Sequence, residues 1–182
     1  MSALSFDVEL RWTHDRKSGI GEIRTDNAIY DVSTPKAMGG RGVGTNPEEL
    51  LVSAVASCFS ATLYAVLQRA HLPVDSLKVA ARGTVRDYPT RSRFAGVVVS
   101  PTILGADPRR RAEYETSALR AHARCLIRRA LASDVTYELG PIHVQREAAL
   151  TEPQADLIPK GENVLPSPGG SREQALAWRS GE

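Results

Sequence analysis

Residues 50–67 read LLVSAVASCFSATLYAVL, without a single charge. The stretch opens on a strong helix start. Asn46 is a good N-cap, Pro47 suits the first helical position, and Glu49 stands three residues after the cap as in a capping box. Glu48 and Glu49 also lie at the positive end of the helix dipole. Eighteen uncharged residues could span a membrane. Ser53, Ser57, Ser60 and Thr62 dilute the apolarity, however, and favour a buried core helix. One domain of this size struggles to surround such a helix alone. Burial between a sheet and a second copy of the chain is the natural solution, so a homodimer is expected.

Working outward, Phe6, Val8, Leu10 and Trp12 alternate with Asp7, Glu9 and Arg11, the pattern of a half-buried strand. Two further strands are expected over 21–25 and 28–32, completing a small antiparallel meander. A Gly-rich connection, STPKAMGGRGVGTNP, leads from Ser33 to the helix. His71-Leu72-Pro73 ends the helix. Two longer strands are expected over 76–85 and 93–103, around the turn Asp87-Tyr88-Pro89-Thr90. Asp107-Pro108 opens a second helix running to about residue 123, with a further helical piece over 125–132. The last strand candidates are 135–137 and 142–145. The order of elements predicts an α+β fold with segregated layers. From about residue 149 the chain turns Pro- and Gly-rich. The expected division is a folded domain over 1–148 and an extension over 149–182, with a short terminal helix from Ser171.

The chain has 182 residues, 42% of them hydrophobic and 24% charged, ordinary for a globular protein. Its formal net charge is +2, and only four of its 23 basic residues are lysine. Arg109, Arg110 and Arg111 are consecutive, and Arg120, Arg124 and Arg128 recur every four residues on what would be one helical face. Without interleaved aromatic residues or a recognition motif, this reads as a solvated basic face rather than a nucleic-acid footprint. The N-terminus shows no signal peptide, and a cytoplasmic protein is expected. Two cysteines, Cys58 and Cys125, exclude a disulfide-dense scaffold and any Cys₄ zinc site. Taken alone, each is a small buried hydrophobe or one half of a reactive pair. A reactive Cys58 would need to be a thiolate, with positive charge nearby.

The run Ser33-Thr34-Pro35-Lys36, then Gly39-Gly40, then Gly44-Thr45-Asn46-Pro47-Glu48-Glu49-Leu50-Leu51 with Cys58-Phe59 resembles the OsmC/Ohr family. These are osmotically inducible protein C and organic hydroperoxide resistance protein. Ala121-His122-Ala123-Arg124-Cys125 is similar to the family's second-cysteine segment, and Arg11-Trp12 to its first strand. The resemblance covers about residues 5–146. It implies antiparallel sheets packed on a long central helix, in an intertwined homodimer with paired active sites at the interface. It also implies a thiol peroxidase without cofactor or metal. Cys58 would be the peroxidatic cysteine, attacking an organic or lipid hydroperoxide, and Cys125 the resolving cysteine. A dithiol of lipoyl type would reduce the resulting disulfide.

Glu48 matches the family's glutamate, which orients an active-site arginine. For that arginine Arg16 is the nearest match, with Lys17 beside it and Arg41 in the alternative loop; Leu126 stands where the family often has proline. Ten residues separate Glu48 from Cys58, roughly 15 Å along a helix axis. The pair is therefore expected to meet across two chains. Leu51, Val55, Phe59, Thr62 and Met38 are candidates for an apolar substrate pocket. The reading from another class is a stress-associated binding module that keeps the fold, its two thiols being core residues.

Overall fold

The computed structural model describes residues 3–146. The extension over 149–182 and its terminal helix lie outside the described residues. Strands β1 (Glu9–Thr13), β2 (Ile20–Arg24) and β3 (Ile29–Val32) form an antiparallel three-stranded sheet. The polar turn between β1 and β2 is built by Asp15, whose carboxylate accepts from the backbone N–H groups of Lys17 and Ser18. The expected half-burial of the first strand is not met within one chain. Phe6 is 89% exposed, and Val8, Leu10 and Trp12 are exposed too. Their alternation is real, but no element among the described residues covers that face.

The connection to the central helix is fastened to β3. The N–H of Thr45 donates to the Asp31 carbonyl and that of Ser33 to the Thr45 carbonyl, at 2.9 and 3.0 Å. Gly44 lies between them at φ 63°, where a Cβ would collide with the Asp31 carbonyl, so glycine is required. Helix α1 (Pro47–Arg69) then begins as expected, the Asn46 side chain accepting from the Glu49 N–H at 2.9 Å. The reciprocal half of the capping box is replaced: the Glu49 carboxylate accepts instead from the Thr45 hydroxyl at 3.1 Å.

Helix α1 is not buried all round within the chain. Val55, Phe59, Leu63, Val66 and Leu67 form a stripe at helical spacing, all buried. They pack on Val97, Val99 and Ile103 of one strand and on Tyr114, Ala118 and Ala121 of the second helix. Each large apolar side chain in this core contributes about 1.5–3 kcal/mol. The opposite face, Ser53, Ala54, Ser57 and Ala61, is exposed. By length and composition α1 could cross a membrane, and 28% of its apolar window is buried in this chain. The small residues of its open face suit close approach of another protein surface better than lipid.

Strands β4 (Ser76–Arg86) and β5 (Arg93–Leu104) form a long antiparallel pair. A short 3₁₀ turn and helix α2 (Arg111–Arg124) follow, with Asp107 capping the turn. Strands β6 (Thr136–Leu139) and β7 (His143–Gln145) both run parallel to β5. The second sheet is therefore mixed rather than wholly antiparallel, because α2 makes a crossover long enough to return the chain in the same direction. β6 and β7 lie along one edge of β5 with a break between them. Pro101, which has no N–H to give, sits in β5 opposite that break. The hydroxyl of buried Tyr114 ties α2 to the preceding segments, donating to the Pro73 carbonyl at 2.7 Å and accepting from the Asp107 N–H at 3.2 Å.

The three consecutive arginines are solvated and paired: Arg109 with Asp107, Arg110 with Glu113 and Arg111 with Glu115, at 2.7–2.8 Å. Arg128 does not continue the face of Arg120 and Arg124. The helix stops at Arg124, because Cys125 adopts an extended ψ of 120°. Residues Ile127–Ala130 form a separate 3₁₀ turn.

Candidate active site

The turn after α2 brings the two thiols together. Cys58 is half-buried on α1, and Cys125, at the end of α2, has no exposed surface. The Cys125 side chain lies against the Cys58 thiol. The backbone N–H groups of Ile127 and Leu126 point at the same sulfur, and the Thr62 hydroxyl also reaches it while donating to the Cys58 carbonyl at 2.8 Å. Burial works against a charged Cys58, but these donors outweigh it and hold the thiol below its ordinary value. Cys125 is held above its ordinary value, chiefly by burial and then by the charge next door on Cys58. The asymmetry makes Cys58 the first of the pair to ionise, and thiolate is the reactive form.

Three residues that sequence reasoning missed complete the surroundings. Tyr137 on β6 lies flat against His122 of α2, ring centroids 4.2 Å apart and planes 1° from parallel. His122 Nε2 is 3.1 Å from the Tyr137 carbonyl oxygen. The Arg128 guanidinium lies over the other ring, 5.9 Å from its centroid. The Tyr137 hydroxyl is buried beside Cys125, without a hydrogen bond of good geometry. Burial, and then the two neighbouring sulfurs, hold its proton more tightly than an ordinary phenol does. Burial also keeps His122 below the usual imidazole value.

The remaining candidates lie elsewhere in the chain. Neither Glu48 nor Arg16, Lys17 or Arg41 is among the principal groups acting on either sulfur. Arg16 is exposed in the β1–β2 turn, where its carbonyl accepts from the Thr34 hydroxyl. Glu48 is in the first turn of α1 and lines a pocket of about 430 Å³ with Val52, Arg82, Gly83 and Phe94. One of its carboxylate oxygens is buried and has no hydrogen-bond partner among the described residues. Val55 and Phe59 belong to the hydrophobic core rather than to a pocket wall. Leu51 and Met38 are half-buried.

The family model for OsmC-like proteins matches residues 39–140, which hold both thiols and all of α1. The chain belongs to the OsmC-like protein family. A curated relative is the uncharacterized protein YmaD of Bacillus subtilis (strain 168). It is 29% identical over 140 residues, spanning 74% of this chain and 91% of that protein. An organic hydroperoxide resistance protein OsmC from Legionella pneumophila has a similar structure. Its TM-score is 0.62 at 22% identity, over 78% of this chain and all of that one. The organic hydroperoxide resistance protein OhrB of Bacillus subtilis gives a TM-score of 0.58 at 21% identity, over 75% and 98% of the two chains. At these identities the likeness carries the fold. In this OsmC-like chain the principal groups that favour the Cys58 thiolate are the backbone N–H groups of Ile127 and Leu126 and the side chains of Cys125 and Thr62, none of them positively charged. Only Cys58 and Cys125 of the expected site residues meet within one copy.

Proposed function

We propose that this OsmC-like protein is a cysteine-based peroxidase that reduces organic hydroperoxides to alcohols. The observation that carries the reading is the juxtaposition of the two thiols, the Cys125 side chain acting directly on Cys58. The Cys58 thiolate attacks the terminal oxygen of the hydroperoxide. The O–O bond breaks, the alkoxide leaves as the alcohol with a proton, and Cys58 becomes a sulfenic acid. Cys125 then attacks that sulfur, the S–O bond breaks, water leaves and a Cys58–Cys125 disulfide remains. A dithiol, of lipoyl type in the family, exchanges with the disulfide and returns both thiols.

The working unit is a homodimer. Two features support this: the open Ser53, Ala54, Ser57 and Ala61 face of α1 and the uncovered apolar stripe of β1. Glu48 supplies a third: one of its carboxylate oxygens is buried and takes no hydrogen bond from any described residue, Arg82 of the same pocket included. Arg16 is the residue proposed to fill that place, from the second copy, and to direct its charge to the Cys58 it serves.

The test is a titration with one equivalent of cumene hydroperoxide. Dimedone is expected to trap Cys58, and without dimedone a Cys58–Cys125 disulfide should form. Steady consumption with dihydrolipoamide should follow. If neither thiol reacts and no peroxide is consumed, the protein is a binding module that keeps the fold and the peroxidase reading is wrong.

A further inference from the structure

Tyr137 has the chemistry of a working residue and no structural need for its hydroxyl. Its ring is held by two neighbours, His122 stacked on it at 4.2 Å and the Arg128 guanidinium 5.9 Å from its centroid. Its backbone is fixed in the parallel ladder opposite Val97, and its carbonyl oxygen faces His122 Nε2. The hydroxyl is nevertheless buried, beside the Cys125 sulfur, and satisfied by no oxygen or nitrogen among the described residues. A buried hydroxyl left so is a cost to the fold. A phenylalanine would keep the stack and avoid the cost.

Cys125 has a matching need. It is fully buried, and burial opposes the thiolate it must become to attack Cys58. Among the described residues the principal groups acting on it are Cys58 from α1, the Arg128 N–H from the following turn and Tyr137 from β6, none a positive side chain, with His122 stacked on the tyrosine.

We infer that the Tyr137 hydroxyl is the hydrogen-bond donor that stabilises the Cys125 sulfur as it attacks oxidised Cys58, with His122 and Arg128 as the positioning residues that aim the ring. The step rests on the thiol-pair reading above. The Cys125 sulfur gives an electron pair to the Cys58 sulfur, and the S–O bond of the sulfenic acid breaks. The departing hydroxyl takes up the proton that Cys125 relinquishes and leaves as water. The oxidising equivalent is the oxygen already delivered by the hydroperoxide, and Tyr137 ends with its own proton. Because the phenol is reluctant to ionise, it remains a donor throughout.

The experiment compares full-length Tyr137→Phe with the parent protein in two assays. After one equivalent of cumene hydroperoxide, loss of the Cys58 thiol should be unchanged. Disulfide formation should slow about tenfold, as expected for losing a hydrogen bond to a charged group, and more Cys58 should be caught by dimedone. In the second assay Cys58 is first converted to its mixed disulfide with thionitrobenzoate. Attack by Cys125 then releases the coloured thiolate with no peroxide involved. That release should slow similarly, with its pH midpoint moved upward, a change that looser packing alone would not produce. Incorporating 3-fluorotyrosine at 137, a stronger donor of nearly the same shape, should restore or exceed the parent rate and keeps the test open if the phenylalanine variant folds poorly. Release at the parent rate and midpoint in Tyr137→Phe overturns the inference. Slowed release together with no reaction between Cys58 and peroxide overturns the peroxidase reading and leaves the role of Tyr137 standing.

Discussion

The Cys125 side chain lies against the Cys58 thiol, joining the end of α2 to the middle of α1. The two cysteines therefore titrate as an unequal pair. Cys58, with the N–H groups of Ile127 and Leu126 as further donors, gives up its proton first. Cys125, buried beside the charge so formed, gives up its own later.

Alkylation should show this directly. Iodoacetamide is expected to label Cys58 with a pH midpoint below that of a free thiol, about 8.5. Cys125 should react slowly, with a midpoint above it. Peptide mass spectrometry after labelling across a pH series separates the two. A single shared midpoint near the free-thiol value would contradict the asymmetry.

Cys125→Ser tests the other half of the pair. A serine hydroxyl is a poorer match to the long sulfur contact and cannot form a disulfide. The Cys58 midpoint should rise, and the sulfenic acid should persist long enough to be trapped nearly quantitatively by dimedone. With excess peroxide it should proceed to the sulfinic acid. Turnover with a dithiol should fall by orders of magnitude, and unchanged turnover would remove Cys125 from the cycle.

Much of this was legible in the chain itself. The cap at Asn46, the turn at 87–90 and the pairing of β4 with β5 follow from residues with strong local preferences. The thiol pair was legible through the motif around Cys58 and the His122–Cys125 segment. Other features were hidden for identifiable reasons. The donors from Leu126 and Ile127 are backbone groups, which any residue carries. Tyr137 reaches the thiols only because β6 returns parallel to β5, a pairing set by long-range packing. The charge-free run of α1 led to the expectation of a second copy around the helix; among the described residues the chain itself covers the stripe of Val55, Phe59, Leu63, Val66 and Leu67.

Glu48 and Cys58 stand ten residues apart on one helix, about 15 Å, and the buried Glu48 oxygen has no partner among the described residues. A mixed dimer of Cys58→Ser and Glu48→Ala chains decides whether they cooperate across copies. In the trans arrangement one of its two sites is intact, so about half the parent activity should return. In a cis arrangement both sites are broken and nothing returns. Each variant alone should be nearly inactive.

Stability should depend on the face of α1 that is covered within the chain. Phe59 has no exposed surface and sits at the centre of the cluster with Val97 and Tyr114. Phe59→Ala should destabilise by about 3–5 kcal/mol. Asn46→Ala, which removes the bond to the Glu49 N–H, should cost about 1 kcal/mol. Denaturant unfolding of both variants checks the ranking, and an equal cost for the two would mean that α1 is not held through its Phe59 stripe.

His122 gives the fold a pH dependence of known sign. Burial lowers its proton affinity below that of an exposed imidazole, whose ordinary pKa is about 6.5. As pH falls through that value the unfolded chain takes up a proton that the folded chain refuses, so the unfolded state gains. Stability should therefore decline between about pH 7 and pH 5 and level off once the folded imidazole also protonates. The carboxylates held low, Asp15, Asp107 and Glu113, act at more acid pH and leave this window clear. His122→Phe keeps an aromatic ring on Tyr137 and removes the titration. Denaturant midpoints measured across the window should be flatter in the variant than in the parent, and an undiminished slope would place the acid sensitivity on another group.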